Sequence, residues 1–284
     1  MAPLVLRTVA ETAAWAESIR RSGRRLALVP TMGYLHDGHV SLMREGRGRA
    51  DVVAASIFVN PTQFGPTEDL SRYPRDMEGD LAKCASAGVE AVFAPEPSEV
   101  YPPGFQTYVE VTQVSQGQCG ARRPGHFKGV ATVVTKLLCL FKPHVALFGE
   151  KDYQQLQVIR ALERDLNLGV EIIGMPTIRE ADGLAMSSRN AYLSPEGRKQ
   201  ALALSRGMAA AQALYRQGTR EVPVLVSAVR RELEAAGLRE DYVELVDATS
   251  LSPLSTVSPG QPARLLVAAF VGTTRLIDNQ PIGG

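Results

Sequence analysis

LALVPTMGYLHDGHVSLMREGRGRADVVAASIFVN, from Leu26 to Asn60, is the stretch that decides the fold. It opens on one apolar run, Leu26–Pro30, and closes on another, Val52–Asn60. Apolar runs of this length bounded by Gly, Pro and Asn read as strands buried on both faces, the habit of parallel sheets. The segment between them, Val40–Arg49, reads as a helix. One strand–helix–strand unit is therefore legible in 35 consecutive positions of the printed sequence.

The same alternation extends outward. A short strand and a helix occupy the chain before Arg21, and Ala91–Ala94 (AVFA) and Val145–Phe148 (VALF) read as further buried strands. Asp76–Ala87, Phe127–Phe141 and Tyr153–Leu166 read as helices between and after them. A chain of βαβ units predicts an α/β fold, a doubly wound parallel sheet with right-handed crossovers, over residues 1–176. From Thr177 the texture changes. A polar, turn-rich segment (Arg179–Asn190) leads into two long helices, Pro195–Gln217 and Val222–Ala236. Alternating runs at Tyr242–Val246 and Arg264–Val271 follow, separated by a Ser/Pro-rich stretch, Leu251–Pro262. Residues 177–284 thus read as a smaller α+β C-terminal domain that packs on or closes over the first. The last four residues, Pro281–Gly284, are expected to fray.

Composition bounds the function. In 284 residues, 45% hydrophobic and 21% charged, the formal net charge is +1. No strong field selects a nucleic acid or a membrane surface. Cys84, Cys119 and Cys139 are an odd, scattered set without C-x-x-C spacing. That argues against a disulfide framework or zinc site and predicts three small buried side chains in a reducing cytosol. No signal segment stands at the N-terminus, and no apolar run approaches the roughly 20 residues that span a bilayer. The expectation is a soluble, cytoplasmic protein.

Ligands of parallel α/β sheets bind beyond the carboxyl ends of the strands, so the segments that follow strands carry the functional signal. In Val29–His39, VPTMGYLHDGH, a strand ends, a flexible turn follows, and His36 and His39 begin a helix. Three-residue spacing sets both rings on one helical face. Gly38 admits a ligand to the backbone, and the helix N-terminus presents N–H groups and a positive dipole end to phosphate. Two imidazoles there can donate to a phosphoryl group as charge builds on it. The same spacing suits a metal, which would need a third ligand, and the only other histidines are His126 and His144. Surface or capping histidines are the plain alternative.

Gly149–Gln155, GEKDYQQ, also follows a strand: Lys151 is a phosphate-seeking cation, Asp152 suits ribose hydroxyls, and the Gln155 amide reads a carboxylate or hydroxyl. A solvated helix start with dipole-favoured acids would look similar. Met186–Asn190, MSSRN, places two hydroxyls and Arg189 in the turn-rich stretch, where a guanidinium can grip two phosphate oxygens at once. Phe58–Phe64, FVNPTQF, ends another strand with Asn60 and Gln63, although Asn-Pro is also ordinary turn punctuation. No Walker A loop, G-x-G-x-x-G or H-E-x-x-H occurs. Phosphate handling by histidines with Lys151 and Arg189 points to attack on an α-phosphate with pyrophosphate leaving.

Taken together, PTMGYLHDGH, FVNPTQF, GHFKGVATVVTKLL (Gly125–Leu138), FGEKDYQQL, READGLAMSSRN, YVELVDATSLSPL (Tyr242–Leu254) and TRLIDN (Thr274–Asn279) resemble the pantothenate synthetase (pantoate–β-alanine ligase) family almost end to end. The resemblance implies a Rossmann-like N-terminal domain that binds nucleotide and pantoate, a smaller C-terminal lid, a cytosolic homodimer, and ATP used with Mg²⁺. It implies that pantoate attacks ATP to give pantoyl-adenylate and pyrophosphate, and that β-alanine then displaces AMP. By motif, Met32, Gly33, His36, Gly38 and His39 would line the ATP site, with His39 as proton donor. Gly149, Glu150, Lys151 and Asp152 would contact nucleotide, Ile178 adenine, and Met186, Ser187, Ser188 and Arg189 the triphosphate. Gln63 and Gln155 would hold pantoate, with Gln63 also near β-alanine, and Asn60 would support the phosphate or metal region. No residue is assigned to the chain as a metal ligand. Leaving pyrophosphate hardly needs a proton, so His39 can act as a charge-assisted donor instead. Tyr34, Cys139 and His144 depart from the family's usual residues, outside the motif contacts. The alternatives are another H-x-G-H adenylyltransferase, for whose phosphorylated substrate Gln63 and Gln155 are poor dianion ligands, and a non-catalytic nucleotide-binding protein.

Overall fold

A computed structural model describes residues 1–66 and 68–283. Nine strands and nine α-helices lie among the described residues, in two compact units: residues 1–150 with 155–176, and residues 151–154 with 177–284.

In the first unit, β1 (Leu4–Leu6) leads through α1 (Val9–Arg21) to β2 (Leu26–Thr31), α2 (Asp37–Arg49) and β3 (Val52–Ile57). Thr8 starts α1 by a reciprocal cap: its hydroxyl accepts from Glu11 N–H at 3.1 Å while Glu11 Oε2 accepts from Thr8 N–H at 3.0 Å. The chain continues through α3 (Met77–Ser86), β4 (Ala91–Phe93), α4 (Pro97–Val100), α5 (Gln118–Arg122), α6 (His126–Phe141), β5 (Val145–Gly149), α7 (Tyr153–Leu166) and β6 (Glu171–Met175). All six strands are parallel, in the order β1-β4-β3-β2-β5-β6. Every residue of β3 is buried, which is why its sequence runs apolar rather than alternating. One face of the sheet packs Val29, Val53, Val92 and Leu147 against Met43 of α2 and Cys84 of α3. On the other, Phe141 of α6 meets Phe93 of β4 and Trp15 of α1 edge-on, with ring centroids 6.2 and 6.3 Å apart. Helices on both faces make this the doubly wound, Rossmann-like sheet expected. The strand succession reverses between β2 and β5, and both loops that carry the strongest motifs leave the carboxyl ends of these two neighbours.

The second unit pairs α8 (Pro195–Arg216) and α9 (Val222–Ala235) with an antiparallel sheet of β7 (Arg239–Asp247), β8 (Ala263–Val271) and β9 (Thr274–Ile282). Leu204 and Met208 of α8, Leu225 and Val229 of α9, and Leu265 and Val267 of β8 form its core.

Four local expectations change. The strand beginning at Val52 ends at Ile57: Phe58 N–H still donates to Thr31 O of β2 at 3.1 Å, and Asn60 then caps the Pro61–Gln63 turn. Strands β6 and β9 were not legible. The C-terminus does not fray at Pro281, since Pro281 and Ile282 pair with Arg264 and Ala263 and Ile282 is fully buried. Cys139 is exposed, whereas Cys84 and Cys119 are buried as expected.

Candidate active site

After β2 the chain turns through Gly33 and Tyr34, both with positive φ (83° and 50°), into α2. Glycine takes the first of these conformations at no cost, whereas Tyr34 is held in it. The holding groups are side chains. Gly33 N–H donates to Thr31 Oγ1 at 3.2 Å, Tyr34 N–H to Asp80 Oδ2 at 2.7 Å, Leu35 N–H to Asp80 Oδ1 at 2.6 Å, and His36 N–H to His39 Nδ1 at 3.3 Å. Thr31 is fixed in turn by donating its hydroxyl to Ser56 O at 2.6 Å. His36 is the N-cap of α2 and His39 its third residue, so their rings lie 4.1 Å apart, tilted by 40°. Because His39 Nδ1 accepts a backbone N–H, the neutral ring carries its proton on Nε2, the outer nitrogen. Met32, Gly38, His36 and His39 all remain partly exposed.

Gln63 lies on the short turn Pro61–Gln63, 8% exposed, and its amide orientation is fixed by its neighbours. Asn60 Nδ2 donates to the carbonyl of Gly129 and to Gln63 Oε1, each at 3.1 Å. A carbonyl can only accept, so Asn60 must present its nitrogen there, and Gln63 must present its oxygen to Asn60. Gln63 Nε2 is left facing Met32 Sδ at 2.9 Å, with a second N–H to offer a ligand. Asn60 Oδ1 accepts from Tyr101 OH at 2.8 Å and Thr62 Oγ1 at 2.9 Å. At 1% exposure, Asn60 braces Gln63 with its bonds. Helix α6 comes close enough for this only because residue 129 is glycine: a Cβ there would fall 2.4 Å from Thr62 O and 2.7 Å from Gln63 N.

A second brace holds the Gln63 backbone. Arg123 binds Glu68 through two bonds of 2.7 and 2.6 Å and reaches His126 Nε2 at 2.9 Å, while His126 Nδ1 meets Gln63 O at 2.8 Å. Arginine only donates, so His126 accepts at Nε2 and donates from Nδ1. Burial pushes the Glu68 carboxyl up, but the Arg123 bonds outweigh it and hold it below the usual range.

Gly149 ends β5, Glu150 opens the short turn Glu150–Asp152, and Gln155 stands partly exposed in the first turn of α7. In the second unit, Lys151 and Asp152 are 3.8 Å apart, with Asp152 about half exposed. Lys151 O accepts from Asn279 Nδ2 of β9 at 2.8 Å, and Arg264 Nε donates to Asn279 Oδ1 at 2.6 Å while its guanidinium covers the Tyr153 ring at 4.1 Å. The Arg179–Asn190 segment is a braced turn. Arg179 binds Asp278 through two bonds (2.7 and 3.0 Å), Asn190 donates to Glu180 at 2.8 Å, and Arg198 spans Glu180 and Asp182 at 2.5 and 2.8 Å. Within it Met186 N–H donates to Ile178 O at 3.0 Å, and Ser187 Oγ accepts from Arg189 N–H at 3.3 Å. Ile178 is exposed, Ser188 buried, and Met186, Ser187 and Arg189 lie between.

The structure therefore joins His36 with His39, Met32 with Gln63, Lys151 with Asp152, and Ile178 with Met186 and Arg189 in one turn. Sequence reading missed Asp80, Tyr101, Arg123, His126, Arg179 and Asp278. A polar residue on the buried face of a helix, as at Asp80, is the signal that could have found the first. Among the described residues, no three His, Cys, Asp or Glu side chains gather as a metal-ligand set, and no helix is long and apolar enough to cross a membrane.

Comparison with known proteins agrees along the whole chain. The family model for Pantoate-beta-alanine ligase matches residues 4–281. A pantothenate synthetase of Myxococcus xanthus is 77% identical, the match covering 100% of this chain and 98% of the relative. One from Anaeromyxobacter dehalogenans is 59% identical, over 95% of this chain and 96% of the relative. The crystal structure of pantothenate synthetase from Thermus thermophilus superposes with a TM-score of 0.93 at 47% identity, covering 99% of this chain and 100% of that one. A Francisella tularensis pantoate-beta-alanine ligase, solved in complex with beta-gamma ATP and beta-alanine, does so with a TM-score of 0.81 at 32% identity, covering 99% and 98%. With the family model matched over residues 4–281 and a relative 77% identical along the chain, the chain belongs to the pantoate–β-alanine ligase family of enzymes.

Proposed function

We propose that the chain joins pantoate to β-alanine at the expense of ATP, in two steps that share one activated intermediate. Pantoate's carboxylate oxygen attacks the α-phosphorus, the bond to the bridging oxygen breaks, and pyrophosphate leaves, giving pantoyl-adenylate. The β-alanine amine then attacks the acyl carbon, loses a proton, and AMP departs with the former carboxylate oxygen. The observation that carries this reading is the paired histidines at the N-terminus of α2, at the point where the strand succession reverses.

Each assigned residue has a part that its chemistry supports. His36 and His39 donate to phosphate oxygens as charge builds there. With its proton on Nε2, His39 serves as a hydrogen-bond donor to the transition state, and leaving pyrophosphate does not require that it give the proton up. Met32, Gly33 and Gly38 line this part of the ATP site. Gln63 donates an N–H to an oxygen of pantoate and stands near β-alanine, and Gln155 donates to a second pantoate oxygen. Gly149, Glu150, Lys151 and Asp152 take the nucleotide, Lys151 through phosphate and Asp152 through ribose. Ile178 covers adenine, and Met186, Ser187, Ser188 and Arg189 clamp the triphosphate. Mg²⁺ arrives with ATP and neutralises phosphate charge. The enzyme works in the cytosol as a homodimer, and sedimentation at the 30.6 kDa of one chain would contradict the dimer.

Product analysis tests the reaction. ATP, Mg²⁺, pantoate and β-alanine are expected to give pantothenate, AMP and pyrophosphate in equal amounts. Formation of ADP and phosphate would place the attack on the γ-phosphorus and overturn the adenylate.

A further inference from the structure

We infer that Asp80 is a positioning residue for the phosphate-handling histidines: its carboxylate, delivered from helix α3, fixes the turn that presents His36 and His39. The inference rests on the role proposed for those histidines. Asp80 is 1% exposed, and each of its oxygens takes a different amide of the turn, Tyr34 N–H at 2.7 Å and Leu35 N–H at 2.6 Å. These are two of four consecutive amides, Gly33 to His36, that bond to side chains. The turn they belong to has two successive residues at positive φ, one of them Tyr34. Such a conformation persists only where its surroundings over-determine it. A carboxylate is the one side chain of this length that accepts with both oxygens at once. Gly33 belongs to the same arrangement, since a Cβ there would sit 3.0 Å from Asp80 Oδ2 and 3.0 Å from Ile57 Cγ2. Burial also pushes the Asp80 carboxyl above its ordinary range despite the two amide donors.

Asp80→Asn keeps the shape but must turn a nitrogen toward one of the two N–H groups. Single-turnover pyrophosphate release with pantoate is expected to slow at least about tenfold, with KM for ATP and pantoate within about threefold, since small misplacement of catalytic groups costs rate before binding. In the smaller Asp80→Ser, the same loss should accompany faster deuterium uptake over residues 33–39 and unchanged uptake over β3 and β4. Wild-type pyrophosphate release at normal rate in folded Asp80→Asn or Asp80→Ser would overturn the inference. A wild-type enzyme that releases no pyrophosphate with pantoate would instead overturn the function on which it rests.

Discussion

At the scale of single residues, the turn that presents His36 and His39 is fixed by side chains, including Asp80 from elsewhere in the chain. His36 and His39 were legible because their spacing and their place after a strand say what a helix N-terminus can do. Asp80, Arg123 and His126 were not, because each acts on a partner 45 to 63 positions away that only the fold brings near. The Glu68–Arg123 pair shows what such a residue contributes. Glu68 has a folded-state pKa below its ordinary 4.5, so its contribution to stability is complete above that value and is lost as pH falls through the lowered one. Glu68→Gln is expected to cost about 1.5–3 kcal/mol at pH 7, the range for hydrogen bonds to a charged group. The gap to wild type in urea midpoints should close as the pH falls below 4.5 and through the lowered pKa. A gap independent of pH would show that the lost interaction was not ionic.

At the scale of elements, the long periodic helices and the buried central strands were legible to within a few residues. What the sequence hid were elements whose identity comes from their neighbours. Strand β6, EIIGM, is short and lies at the sheet edge, and β9 carries Asp278 and Asn279 where an alternating strand would carry apolar residues. Those two polar side chains are buried because they brace the Arg179 turn and the Lys151 backbone. Contact between α6 and the Pro61–Gln63 turn is the other hidden feature, since nothing in GHFKGVATVV announces which glycine faces a backbone. Gly129→Ala forces the two apart, and overpacking of this kind costs about 1–3 kcal/mol. With Asn60 displaced from the Gly129 carbonyl, the Gln63 amide loses its fixed orientation. KM for pantoate is therefore expected to rise several-fold while KM for ATP changes little. An unchanged pantoate KM in a folded Gly129→Ala enzyme would separate Gln63 from that helix contact.

At the scale of the whole molecule, strand succession says more than any one motif. The order β4-β3-β2 on one side and β5-β6 on the other puts the H-x-G-H turn and the start of the GEKD segment on neighbouring strands. Alternation of strands and helices foretold a doubly wound sheet, but the order of strands within it depends on contacts that periodicity does not encode. Activation of a carboxylate by adenylation is the central claim, and it is tested by isolating the first half of the reaction. Enzyme in excess of ATP and Mg²⁺ is mixed with pantoate, without β-alanine, and pyrophosphate is followed through one turnover. A rapid burst close to one equivalent per ATP, lost without pantoate and slowed about a hundredfold or more in His39→Ala, is the predicted result. Pyrophosphate release that waits for β-alanine, or that proceeds without pantoate, would contradict it.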